Sequence, residues 1–554
     1  MIVIGLSLIG KEIVDRYSYS KERVDMDAYY NVSGDNCAIL FEDQQLEEYA
    51  LVKDGLCYMK LEDVHTYLNP GFYFDPVEDL LLYTEADGTN TAVVNGREYT
   101  KPDGSVVTLP YEVWMKQQDI CYISMEYVKL FTNFTYAYYE NHLEMKTSFP
   151  DTQVAYMERD TQVRLRGGVK SPIMRDVAQG EKVTVLEAME NWCKVKTSDA
   201  IIGYVELKYM TEPQTEEGTP AKHYKKKEFE TLSMDGKVCL GWHAIGGAGG
   251  NTTLDSMAQE GTAMNVIAPT WFSITSEAGE YRSFGEASYV NRAHDKGLSV
   301  WGVWDDFNYA NENGISIDMK TVLEPTTQRM RLVGNIVSSA LELGLDGVNI
   351  DFEKLSSGCA EAFAQFLREL SVECHRAGLL LSVDNYVPFH FNEYYRLDVQ
   401  GEVVDYVIIM GYDEHWHGSK DPGSVASLSY VTNGIQKTLE KVKPEKVINA
   451  LPFYTIMWTT EGAEVTDEYL TLNNTADFLG RIGKEPVWDE TSGQNYLEWE
   501  SGSKLHQIWL EDSQSIQAKL NAMSNYKIGG VAVWRLGYGT PEVWELLKLY
   551  MGVS

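Results

Sequence analysis

Asn349, Asp351 and Glu353 stand at alternate positions in residues 345–355, Leu-Asp-Gly-Val-Asn-Ile-Asp-Phe-Glu-Lys-Leu, with Val348, Ile350 and Phe352 between them. Strict alternation of polar and apolar residues is the period of a β-strand. On a strand, residues two apart share a face and lie roughly 6.6 Å apart along the chain. One face of this segment is therefore apolar, and the other carries an amide and two carboxyl groups. Burying such a row costs free energy unless its groups find partners or work. Two carboxyl groups converging at a strand end suit a general acid with an electrostatic partner. The plainer alternative is an acidic strand end that caps the next helix.

A strand of this kind needs a scaffold that covers its apolar face and opens its polar end. From Lys237 onward the chain alternates apolar runs with helical patterns, which predicts repeated β-α units. Strands are expected at 238–244, 264–274, 298–304, 347–353, 379–385, 404–413, 446–454 and 529–536. Eight strands in about 320 residues predict a (β/α)8 TIM barrel, whose active sites lie at the C-terminal ends of the strands. Residues 459–510, rich in β-formers, predict an inserted lobe beside that mouth. The sixth strand ends in Met410-Gly411-Tyr412-Asp413. Met410 and Tyr412 are expected to share the inward face, with Asp413 beside them. The eighth ends in Gly530-Val531-Ala532-Val533-Trp534, small residues beneath a large aromatic, which leaves room for a ring against Trp534. Seen singly, Tyr412 and Trp534 would read as core.

The run Asp346-Gly347-x-Asn349-x-Asp351-Phe352-Glu353, with the Met-x-Tyr-Asp at 410–413 and the terminal Trp534, resembles family 18 glycoside hydrolases, the chitinase-like TIM barrels. That family usually has aspartate where this chain has Asn349. Residues 412–416, 422–427 and 508–512 narrow the resemblance to spore-cortex-lytic and related peptidoglycan N-acetylglucosaminidases, in which asparagine is usual there. The resemblance implies a retaining, substrate-assisted hydrolysis, the exception to two-carboxylate glycosidases. Glu353 would be the general acid and then the base. Asp351, held as an anion, would orient the sugar's acetamido group, with Asn349 donating its amide N–H to it. Tyr412 would bind the acetamido oxygen, and Trp534, Asp413, Met410 and Asp346 would bind substrate. It implies no cofactor and no metal; His415 and His417 lack carboxylates at ligand spacing. Chitin, and a non-catalytic glycan-binding protein on the same fold, are the alternatives, though the second usually lacks the acid that Glu353 supplies.

The rest of the chain reads as a multidomain protein of 554 residues. An apolar fraction of 44% is enough for packed cores. A formal net charge of −35 argues against nucleic acid as a partner. Seven cysteines without metal-type spacing favour buried thiols over a disulfide framework. Residues 1–31 are expected to hold a truncated membrane anchor, the apolar residues 1–10, and a polar spacer. Residues 32–148 contain a near-repeat: 55–67 resembles 119–131, sixty-four residues on, which predicts a pseudo-symmetric α+β module. It resembles the N-terminal module of copper amine oxidases, with no copper implied. Residues 152–212 predict a small β-barrel and resemble bacterial SH3 domains, which implies possible cell-wall binding. Residues 213–236 read as a linker, and 237–554 as the barrel. The expected location is extracellular or cell-surface in a Gram-positive-type bacterium.

Overall fold

Eight parallel strands close on themselves in the computed structural model, which describes residues 18–553. They are β1 Val238–His243, β2 Val266–Pro269, β3 Ser299–Asp305 and β4 Gly347–Asp351, then β5 Leu380–Tyr386, β6 Tyr406–Met410, β7 Val447–Pro452 and β8 Gly530–Trp534. Each pairs in parallel with its neighbour in sequence. β8 then returns to β1 through Val238 and Gly530, so the barrel has no free edge. The close approach there explains the glycine: a Cβ on Gly530 would stand 2.2 Å from the Val238 carbonyl oxygen. Helices such as Thr326–Leu343, Ala360–Arg376 and Ser513–Ser524 alternate with the strands. Gly344, at φ 76°, ends the first of these in a left-handed cap and turns the chain toward β4.

The expected strand 264–274 is two strands. It stops at Pro269, Trp271 N–H turns back to the Pro269 carbonyl, and Phe272–Ile274 then pairs separately with β3. Likewise the seventh strand ends at Pro452, and Tyr454 already belongs to the inserted lobe. Proline has no N–H to continue a ladder, which is why both expected strands run too far. The lobe is a five-stranded antiparallel sheet with the helix Leu472–Ile482, so it begins before the expected residue 459.

The chain divides into two compact units, one of residues up to 226 and the other mainly 227–554. The first contains two seven-stranded sheets. In one, the near-repeat appears as Leu56–Lys60 followed by the helix Leu61–Tyr67, and Ile120–Ser124 followed by the helix Met125–Val128. The other sheet spans 152–216, because Gln214–Glu216 pairs with Thr152–Tyr156. The expected linker at 213–236 therefore starts with a strand. The expected spacer also gains structure: Asp25 caps a short helix, Met26–Tyr30, whose Tyr30 is buried. The suggested anchor at residues 1–10 lies outside the described residues. Among the described residues no helix is long and apolar enough to cross a membrane. All seven cysteines are free and buried.

Candidate active site

β3, β4 and β5 bring five carboxyl groups to the C-terminal mouth of the barrel: Asp305, Asp306, Asp351, Glu353 and Asp384. Asp351 is the last residue of β4, and Glu353 follows just beyond it. The expected polar face of this strand is therefore real, but the strand ends two residues early. Asp306 holds that end in place, accepting Glu353 N–H at 2.9 Å and Lys354 N–H at 3.0 Å. Asp305 is satisfied by Ser273 Oγ at 2.7 Å, Asn308 Nδ2 at 2.9 Å and the backbone N–H groups of Phe307 and Asn308. The Tyr386 hydroxyl, from the end of β5, donates to Glu353 Oε2.

Burial pushes every one of these acids upward, because a low-dielectric surrounding disfavours the charged form. Asp306 rises to about 7. Asp351 is driven well above the ordinary carboxylate range, by burial first and then by Glu353, Asp384, Asp305 and Asp306. Glu353 is also raised by burial, against the Tyr386 hydrogen bond, which favours its anion. The expected anionic Asp351 is thus corrected: its surroundings favour a proton. Asp351 Oδ1 is buried and has no hydrogen-bond partner.

Asn349 does not serve Asp351 as expected. Its amide donates to Asp384 Oδ1 at 2.9 Å and to Ser382 Oγ at 3.0 Å, and its oxygen accepts Trp242 Nε1 at 3.0 Å. Register explains this, since Asn349 stands opposite Ser382 on β5.

Tyr412 and Asp413 follow β6, and both are buried. Burial pushes the Tyr412 hydroxyl well above its usual range, and the charges of Asp413, Asp351, Asp384 and Glu353 add to the shift. Asp413, at φ 61°, accepts the hydroxyl of Tyr454 from the lobe. Met410 is buried at the end of β6, beside Tyr386 and Ala450. Trp534 ends β8, its ring 6.0 Å from that of Trp242 and edge-on to it. A cavity of about 350 Å³ is lined by Asp351, Trp534, Asp305, Trp271 and Arg535, among others. Asp346 is the exception. It precedes β4, accepts Val300 N–H at 2.7 Å and contacts His294 at 2.8 Å, and lies at the barrel end opposite the other candidates. A residue there positions strands rather than substrate.

Sequence reasoning missed Asp384, Tyr386, Asp305, Asp306 and Tyr454. Ser382 and Asp384 alternate with Leu381 and Val383, the period that identified β4, though Asn385 interrupts it before Tyr386. His417 contacts Asp467, and His415 Nδ1 lies 2.8 Å from the Asp421 carbonyl oxygen. Among the described residues no group of three or more His, Cys, Asp or Glu could hold a metal ion.

A closed eight-stranded barrel with Asp351 at a strand end facing a cavity walled by tryptophan, and Glu353 two residues on, has the architecture of a TIM-barrel enzyme. Comparison with known proteins makes this particular. Residues 313–539 match glycosyl hydrolases family 18, and residues 160–211 match the bacterial SH3 domain. The chain thus carries a family 18 glycosidase domain and a bacterial SH3 domain. It is 24% identical over 309 residues to the uncharacterized glycosylase YvbX of Bacillus subtilis, covering 54% of this chain and 88% of that one. It is 30% identical over 250 residues to the cortical fragment-lytic enzyme of Bacillus anthracis, covering 43% of this chain and 57% of that relative's length. The Bacillus cereus spore cortex-lytic enzyme SleL shares the fold, with a TM-score of 0.51 and 20% identity over 61% of this chain and 78% of that one.

Proposed function

We propose that the barrel hydrolyses glycosidic bonds of N-acetylglucosamine in peptidoglycan of the bacterial cell wall or spore cortex. The observation that carries this is the Asp351–Glu353 pair at the end of β4, beside a cavity lined by Asp351 and Trp534. The similarity to the cortical fragment-lytic enzyme of Bacillus anthracis supports the cortex as substrate.

In this reading Glu353 protonates the leaving oxygen. Burial favours its protonated form, while the Tyr386 hydroxyl steadies the carboxylate left behind. The sugar's own acetamido oxygen attacks C1, so no protein nucleophile is required. Asp351 orients the acetamido N–H, and Tyr412 donates to the acetamido oxygen. Trp534 supports the sugar ring, with Asp413 and Met410 shaping the same wall. Glu353 then takes the proton of the attacking water. The SH3 domain would hold the enzyme to the wall, raising its local concentration there. Action on such a polymer places the protein outside the cell or at its surface.

Glu353→Gln tests the reading. General acid catalysis is worth about 10²–10⁴ in rate, so hydrolysis of purified cortex peptidoglycan should fall by at least that lower factor while the circular dichroism spectrum is kept. Activity within about tenfold of wild type would assign the acid elsewhere. Mass spectrometry of products from peptidoglycan and from chitin oligosaccharides decides the substrate. Faster turnover of chitin would reject peptidoglycan.

A further inference from the structure

Asp384 has no part in the chemistry above, yet it is only 3% exposed among the acids of the barrel mouth. Its strand, β5, runs parallel to β4 with Asn349 opposite Ser382 and Ile350 opposite Val383. One step further along that register, Asp384 flanks Asp351 on the same inward face. Asn349 spends both amide hydrogens on Asp384 and Ser382, and Trp242 occupies its oxygen. The amide is thus locked and cannot turn toward Asp351. The neighbour left for Asp351 is a second carboxyl group, and Asp351 Oδ1 remains buried without a partner.

Among the described residues neither Asp351 nor Asp384 forms an ion pair. The titratable groups around them are Glu353 on their own side of the mouth, Tyr386 from β5, Tyr412 and Asp413 beyond β6, Asp305 at the end of β3 and Asp306 just beyond it. These are acids or phenols; Arg282 and Arg535 line the cavity that Asp351 faces, but among the described residues neither forms an ion pair with Asp351 or Asp384, so no direct partner compensates two negative charges. Adjacent carboxyl groups in such a place hold protons jointly rather than ionise together. A buried oxygen left without a hydrogen bond is costly, and a proton between the groups removes that cost.

We infer that Asp384 is a positioning residue for Asp351, supplying from β5 the carboxyl group that Asn349 does not, and that the two share one proton. The inference rests on the roles proposed above for Asp351 and Glu353. Before substrate binds, the proton sits on Asp351. When Asp351 turns its oxygen to the acetamido N–H, its O–H bond breaks and one forms on Asp384. The pair carries one negative charge throughout, and no other reactant takes part. Asn349 fixes the acceptor, because its amide holds Asp384 Oδ1.

The decisive measurement separates kcat from KM across pH for wild type, Asp384→Asn and the exchange Asn349→Asp/Asp384→Asn. Asp384→Asn should lower kcat about 10²-fold with KM changed less than about threefold, the pattern of an interaction made in the transition state. The exchange returns a carboxyl group to the neighbourhood of Asp351 on the other strand. It should recover at least about tenfold of the lost kcat, which a merely structural Asp384 would not allow. A kcat for Asp384→Asn within about twofold of wild type with an unchanged pH profile would overturn the inference. An exchange without recovery would do the same. Should Asp384→Asn not fold, Asn349→Asp alone decides. Its added charge against Asp384 should move the acidic limb of kcat/KM to higher pH, and an unmoved limb would reject the shared proton. Glu353→Gln, assayed alongside, keeps the two questions apart. An active Glu353→Gln sinks the proposed function, whereas an inactive one with a failed exchange sinks only the role of Asp384.

Discussion

Asp306→Asn is expected to stabilise the barrel at alkaline pH. An ordinary aspartate titrates near 3.8, whereas Asp306 is pushed to about 7 by burial. Its folded form therefore binds the proton more tightly than its unfolded form. The sign follows from linkage: stability is fully present below about 4, falls as pH rises, and is lost progressively through about 7. At about 1.4 kcal/mol for each pH unit in that window, the ceiling on the cost at pH 8 is about 4 kcal/mol. Asparagine keeps one oxygen to accept the Glu353 and Lys354 N–H groups, which stand at 2.9 and 3.0 Å, but gives up the second oxygen. A lost hydrogen bond to a charged group removes about 1.5–3 kcal/mol, so the net gain at pH 8 should be about 2 kcal/mol. Near pH 4, where Asp306 keeps its proton, the sign should reverse and the variant should be about 2 kcal/mol less stable than wild type. Calorimetry from pH 4 to 8.5 reads this directly, as the barrel transition should rise by about 4 °C at pH 8 for a domain of this size. A difference between variant and wild type that is the same at pH 4 and pH 8 would refute the argument, because a pH-independent effect cannot come from this carboxyl group.

Two further outcomes follow from named contacts. Tyr386→Phe removes the hydroxyl that favours the Glu353 anion, so Glu353 should hold its proton to higher pH. The basic limb of kcat/KM should move upward, and an unmoved limb would separate Tyr386 from the acid. Lys519→Met strands Glu511, whose side chain is fully buried and meets Lys519 Nζ at 2.7 and 2.9 Å. Breaking one partner out of a buried pair costs about 3–5 kcal/mol, and the loss should be greater at pH 8 than at pH 5 because protonation relieves the orphaned carboxylate. Equal melting temperatures for Lys519→Met and wild type at pH 8 would contradict this.

The barrel was legible in the sequence because its strands are buried on both faces and read as apolar runs at regular intervals. Where the reading ran long, at Pro269 and Pro452, the apolar pattern continued past a residue that cannot donate to a ladder. The acid pair was legible because Asp351 and Glu353 alternate with apolar residues on one strand. Asp384 was not singled out, since its partners lie on β4 and only the register between strands brings them together. The direction of the Asn349 amide was misjudged for the same reason. Along the strand Asp351 is the nearer acid, but across the sheet the amide meets Asp384. Asp346 was grouped with its motif neighbours although a strand carries its two ends to opposite sides of the barrel.

The near-repeat in the first unit carries a structural consequence. Tyr58, Met59 and Lys60 pair with Ser124, Ile123 and Tyr122, and each of these is sixty-four residues from a member of the first set. Met59 faces its own counterpart Ile123, while Tyr58 and Lys60 exchange partners, so a local two-fold axis passes between Met59 and Ile123. The flanking strands obey it too, since Leu51 stands opposite Tyr58 as Met115 stands opposite Tyr122. An ancestor with a single copy would have ended its sheet in an open edge at that strand. Two such chains joined edge to edge would have this same symmetry, so the pairing of the two copies closes within one chain the strand edge that each copy alone would expose.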